Sequence, residues 1–143
     1  PAGAIYFQID EGDMQRILAY PPTMIGSDGL PHDEHPHPRL WGTFPRVLGH
    51  YSRDLGLFDL QTAVHKMTGL SAQTFGITDR GVVREGAYAD LVVFDPVKVK
   101  DLATFEQPLQ QSVGIDYVLV NGTLSLMLGN LCPDRAGQVV RNT

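Results

Sequence analysis

The run Pro22-Thr-Met-Ile-Gly-Ser-Asp-Gly-Leu-Pro31 limits what this chain can fold into more than any other stretch. Pro21-Pro22 ends whatever helix precedes it, because proline has no N–H and its ring collides with the turn before. Thr23, Met24 and Ile25 then predict a short buried strand over residues 23–28, stopped by Gly26-Ser27-Asp28-Gly29. Asp28 can be read in two ways. It is the head of a plain Asp-Gly turn, or it is a carboxylate at the C-terminal tip of a strand, with glycines on either side that let backbone or ligand approach. In a βα-barrel that tip is the chemical face.

The flanking sequence favours a βα arrangement. Residues 4–9 are apolar and aromatic, a strand or the loop after one. Asp10 is suited to an N-cap, Glu11 and Asp13 suit the first turn, and Met14, Ile17 and Leu18 share a face, so 11–19 is predicted to be helical. The loop 29–42 is dense in Pro and His, and loops of that length are commonly functional. Thr43, with Pro45 just inside, starts a helix whose apolar face is Phe44, Val47, Leu48 and Tyr51. Asp59 caps a second helix carrying Leu60, Ala63, Val64 and Met67 and ended by Gly69. Ser71 caps one more turn with Ala72 and Phe75 inward, which closes a helical region over 43–76.

From Gly81 the period changes from helical to alternating. A strand and a turn are predicted over 81–90, with further strands at Leu91–Phe94 before Asp95-Pro96 and at Tyr117–Val120, and 97–114 irregular. Asn121-Gly122 is the sharpest hairpin signal, returning through Leu124–Leu128, with Val139-Val140 as a further pairing segment. The fold class is therefore α/β: a βα end with helices over residues 1–80, then a small antiparallel β part over 81–143.

Composition matters for what it excludes. The net charge of -5 comes from scattered residues without a basic run, against nucleic acid and anionic membrane as partners. No apolar stretch approaches the ~20 residues of a membrane span. The single cysteine, Cys132, rules out an intrachain disulfide framework and is consistent with a reducing, cytoplasmic compartment. Pro1-Ala-Gly without an initiator Met suggests a chain cut from something longer.

Several side chains could carry chemistry. His32, His35 and His37 lie in one loop with Asp33 and Glu34, a residue set suited to zinc. Three prolines break any regular backbone spacing there, so the imidazoles equally suit hydrogen bonds within the loop or the wall of a pocket completed from elsewhere. Arg39 can clamp a substrate carboxylate bidentately or pair with Asp33 or Glu34. Tyr6 or Phe7 can line an apolar pocket. Ser27 lacks a Gly-x-Ser-x-Gly elbow, Cys132 has no nearby His to activate it, and His50 and His65 receive no role.

Taken together, Met24-Ile-Gly-Ser-Asp-Gly-Leu-Pro-His-Asp33, Pro36-His-Pro-Arg-Leu-Trp-Gly-Thr-Phe-Pro-Arg46, Ala63-Val-His-Lys-Met-Thr-Gly-Leu-Ser-Ala72, Arg80–Asp95 and Val120-Asn-Gly122 resemble the C-terminal portion of N-acyl-D-amino-acid deacylases (D-aminoacylases), zinc-dependent members of the amidohydrolase superfamily. The resemblance implies the last strand (23–28) and helices (43–76) of a (β/α)8 barrel, followed by the C-terminal share of a small β domain (81–141). It implies Asp28 as general base on water activated by zinc, with Asp28 also a candidate metal ligand. N-acyl-D-amino acids become the substrate class, Arg39 a candidate for the amino-acid carboxylate, and Tyr6 and His37 candidates for the pocket wall. The family's His-x-His, ligating Cys and mid-barrel His residues have no counterpart here. The isolated chain is therefore expected to be inactive, and to associate with a missing N-terminal barrel portion or with itself through unpaired strand edges. The contrasting expectations are a non-catalytic, oligomerising module and an independent metal binder built on His32, His35 and His37.

Overall fold

Asp10 starts the first helix as its side chain dictates: Oδ1 accepts the N–H groups of Gly12 (2.9 Å) and Asp13 (3.2 Å), two of the donors a helix start leaves unpaired. The structure, a computed structural model, describes residues 5–32 and 34–141. Asp33 and Ala4 lie outside the described residues. Helix α1 spans Glu11–Ala19 as predicted, with Met14 and Leu18 against the core, while Ile17 faces outward.

The predicted strand at 23–28 is not a strand. A strand exists through ladder bonds to a neighbour, and no described segment offers one. Instead, Ile25 N–H donates to the Lys66 carbonyl (3.1 Å). Helix α2 begins at Arg39, four residues before the predicted start, and runs to Arg46 with Pro45 buried inside it. Beyond Arg46 the helix does not stop but widens into a π-helical segment, Val47–Asp54, closed by Leu55 N–H donating to His50 O (2.9 Å). Proline at 45 withholds an N–H from the ladder and crowds the turn before it, a local reason for the change of helical register there. Val47, Leu48 and Tyr51 are buried by this segment; Phe44, expected on the same face, is left partly exposed.

Asp59 caps α3 (Leu60–Met67) through Thr62 N–H (2.7 Å). Gly69 opens α4 (Gly69–Thr74) rather than ending the region, so Ser71 lies within that helix, not at its cap. Ala72 is buried, but Phe75 is 60% exposed.

Four strands form one antiparallel sheet in chain order: β1 Leu91–Phe94, β2 Ile115–Val120, β3 Thr123–Met127 and β4 Asn130–Leu131. Asn121 (φ 49°) and Gly122 (φ 78°) make the two-residue turn expected, both left-handed as a type I′ turn requires. Leu128 (φ 48°) and Gly129 (φ 81°) make a second such turn that Leu128 did not advertise. Two predicted pairings fail. Residues 81–90 contain bends and a turn at 85–86 but no strand, with Val83 89% exposed, and Val139-Val140 pair with no strand.

The crossover between β1 and β2 connects sheet to helices. Val99 is fully buried and belongs to the core with Val47, Leu48, Tyr51 and Ala63. Two glycines make room for it. A Cβ on Gly49 would stand 2.5 Å from Val99 O, and one on Gly114 would stand 2.5 Å from Val99 N. Arg53 locks the approach from the π segment, donating to Val99 O (2.7 Å) and Pro96 O (3.3 Å), while Arg46 reaches Asp101 (3.3 Å).

Candidate functional site

Asp28 sits in the left-handed region at φ 48°, a conformation an aspartate tolerates better than most residues. The next position must be small. A Cβ on Gly29 would lie 2.9 Å from Leu40 Cδ1 and 3.1 Å from its Cα, so glycine lets the start of α2 press against the loop. That packing brings Arg39 onto Asp28, with a guanidinium nitrogen 2.8 Å from Oδ2. Arg39 pairs with Asp28 rather than with Glu34; Asp33, the other partner weighed, is outside the described residues. The Asp28 carboxylate is 76% exposed, so the pair lies open to solvent and contributes at most about 1 kcal/mol to stability. Arg39 Nε is buried and has no partner among the described residues, which leaves a donor beside the one that holds Asp28.

His37 completes the group by an unusual cap. Pro38 has no side chain able to cap α2, and His37 Nδ1 accepts the Arg39 N–H at 3.0 Å in its place. A bare Nδ1 requires the neutral imidazole with its proton on Nε2. Burial, then the Arg39 charge, pulls the His37 pKa below 6.5, and Asp28 opposes them. The ring stands edge-on to Phe105, centroids 5.1 Å apart.

Tyr6 does not join Asp28, Arg39 and His37. Its side chain is mostly exposed, and it makes no described contact with them. Phe7, its neighbour, packs on Phe105 instead (4.9 Å). Phe105 was missed from the sequence: it lies in the irregular crossover, far along the chain, and nothing local tied it to the His-rich loop. His35 Nε2–H also donates to Phe105 O (2.8 Å). His35 and His37 thus engage different partners, and among the described residues no group of three or more His, Cys, Asp or Glu comes together to hold a metal. The independent His32/His35/His37 metal site is not what this geometry supports. These residues do not fit a self-contained zinc centre; Asp28 offers a single carboxylate.

Lys66 was also unforeseen, since it falls on the polar side of no obvious motif. On α3 it is 1% exposed, and its ammonium donates to the carbonyls of Tyr20 (2.6 Å), Pro21 (3.3 Å) and Thr23 (3.1 Å). Burial pushes its pKa below the ordinary lysine value.

Helices ending in an Asp-bearing loop, tied to an antiparallel sheet, place this chain in a known class: it belongs to the amidohydrolase family, whose model matches residues 13–125. Across 143 residues it is 63% identical to a D-aminoacylase of Alcaligenes xylosoxydans xylosoxydans, covering 100% of this chain and 30% of that protein. A solved D-aminoacylase, studied for its binuclear metal centre, superimposes with a TM-score of 0.92 at 65% identity, over 94% of this chain and 28% of that one. The N-acyl-D-glutamate deacylase of Bordetella bronchiseptica, complexed with zinc and a phosphonate inhibitor mimicking the tetrahedral intermediate of its reaction, gives 0.82 at 55% identity, over 83% and 25%. The resemblance drawn from the motifs agrees with these matches. The chain spans about 30% of the curated relative it matches. No helix among the described residues is long and apolar enough to cross a membrane.

Proposed function

We propose that this chain is the C-terminal segment of a zinc-dependent hydrolase that releases D-amino acids from N-acyl-D-amino acids. Residues 1–80 would be the end of the barrel and 81–143 a share of the small β domain. The observation that carries the reading is the Asp28–Arg39 pair, held where Gly29 and α2 meet, in a chain 63% identical to a D-aminoacylase.

Asp28 is the proton carrier. Its carboxylate takes a proton from the attacking water as oxygen bonds to the amide carbonyl carbon. It then gives that proton to the leaving nitrogen as the C–N bond breaks, leaving a carboxylate and a D-amino acid. Zinc bound by ligands from outside this chain, with Asp28 as a further oxygen donor, would supply the Lewis acidity that brings the water's pKa near 7. Arg39, whose guanidinium reaches Asp28 at 2.8 Å, binds the amino-acid carboxylate. His37, kept neutral, lines the wall. A cytoplasmic setting is consistent with Cys132 standing alone and free.

The test is an assay of the protein at its native length with zinc, using paired N-acetyl-D- and N-acetyl-L-amino acids. Release confined to the D series supports the reading; no release from either, with zinc bound, removes it. A second reading, an associating module without catalysis, draws on Phe7, Ile9, Val83 and Leu131, each more than 70% exposed. Sedimentation of the 143-residue chain tests the association, because a dispersed monomer contradicts it.

A further inference from the structure

Among the described residues Lys66 is the one buried charged side chain, and the chemistry above makes no use of it. An ammonium has three N–H donors, and here three backbone carbonyls, those of Tyr20, Pro21 and Thr23, receive them. No carboxylate pairs with it among the described residues. Withdrawing an unneutralised ammonium from water is unfavourable, so packing alone favours a methionine there. The Tyr20–Thr23 turn closes on its own Thr23 N–H to Tyr20 O bond (3.0 Å), and what the charge provides is an anchor from that turn to α3. Pro21 and Pro22 have no N–H to donate, and residues 23–28 have no ladder partner among the described residues. The same residue grips the segment a second time: Lys66 O accepts the Ile25 N–H at 3.1 Å, three positions before Asp28.

We infer that Lys66 is a positioning residue for the Asp28 carboxylate, its ammonium caging the 20–23 turn and its carbonyl fixing Ile25 so that α3 sets where Asp28 stands. The inference rests on the proposed role of Asp28. Lys66 touches neither the substrate nor the reacting atoms. It acts through four bonds to backbone, three of them from the ammonium, and losing those three shifts the base relative to Arg39, which α2 carries separately. A displacement of about 1 Å is worth on the order of 100-fold in rate.

The experiment is Lys66→Met, which keeps the stem and deletes the three donors, in the protein at its native length. Amide exchange at Ile25 and steady-state hydrolysis of an N-acetyl-D-amino acid are both measured. Expected are at least tenfold faster exchange at Ile25, unchanged exchange at Val118 in the sheet, and kcat down tenfold or more with KM within twofold. Unchanged kcat overturns the inference, as does a loss of protection spread through the sheet with kcat and KM moving together. Should Lys66→Met not fold, Lys66→Gln, which retains an N–H2 donor, is expected to show the same pattern at smaller amplitude; wild-type kcat in that variant also overturns it. Asp28→Asn separates the two readings. If it turns over normally, the role of Asp28 fails, and with it the catalytic half of the inference, whatever Ile25 does. If it is inactive while Lys66→Met is not, only Lys66 is wrong.

Discussion

Replacing Gly49 with alanine sets two effects of opposite sign against each other. Gly49 lies in the π segment, and helix propensity alone says that alanine stabilises a helical position by about 1 kcal/mol. Against this, the new methyl would stand 2.5 Å from Val99 O, well inside contact distance. That oxygen has little room to retreat. Val99 is fully buried, its carbonyl accepts Arg53 at 2.7 Å, and Gly114 closes against Val99 N from the other side. Relief requires moving the helix away from the crossover, which loosens Val47, Leu48 and Tyr51 around Val99. Overpacking of this kind costs ~1–3 kcal/mol, and immobile backbone puts the site at the upper end. After the propensity gain the net expectation is a loss of about 2 kcal/mol. Urea unfolding followed by circular dichroism measures it, with Gly26→Ala as control, since no atom lies within 4 Å of a Cβ there. Gly49→Ala at or above wild-type stability refutes the claim that helices and crossover are locked through Val99.

The His37 cap and the second hairpin turn give two further expectations. In an NMR titration His37 should protonate below 6.5, because burial and Arg39 disfavour the imidazolium. The unfolded chain then binds more protons between the folded pKa and 6.5, so this contribution is complete above 6.5 and is lost as pH falls through that window; a midpoint at or above 6.5 contradicts the bare Nδ1. Leu128 holds φ 48° while largely exposed, so Leu128→Asn, which tolerates that conformation, should stabilise by up to ~1 kcal/mol in urea unfolding; destabilisation shows that the Leu128 side chain packs usefully.

Much of this architecture is written locally. Asp10 and Asp59 cap the helices they were expected to cap, because a short carboxylate before an apolar stripe has few other uses. Leu91–Phe94 and the Asn121-Gly122 hairpin follow from alternation and from the need for positive φ. Where the readings failed, the deciding partner was distant or missing. Residues 23–28 look like a strand in composition, yet pairing, not composition, makes a strand. The strand read within 81–90 and the pairing of Val139-Val140 failed for the same reason. The early start of α2 depended on His37 acting as a cap, a role seldom filled by histidine. At the site, Asp28 and Arg39 were singled out separately from their glycine-flanked and proline-flanked settings, but their pairing needed Gly29 to admit Leu40. Phe105 and Lys66 reach the site region from 68 and 38 residues beyond His37 and Asp28 respectively, which no local pattern encodes.

The most direct measurement is kcat of Asp28→Asn against wild type, at native length with zinc, on an N-acetyl-D-amino acid. Asparagine keeps the shape and removes the proton acceptor, so a fall of about 10²–10⁴-fold with unchanged circular dichroism is the outcome expected of a general base. A rate within a few fold of wild type contradicts it, and the account of this site with it.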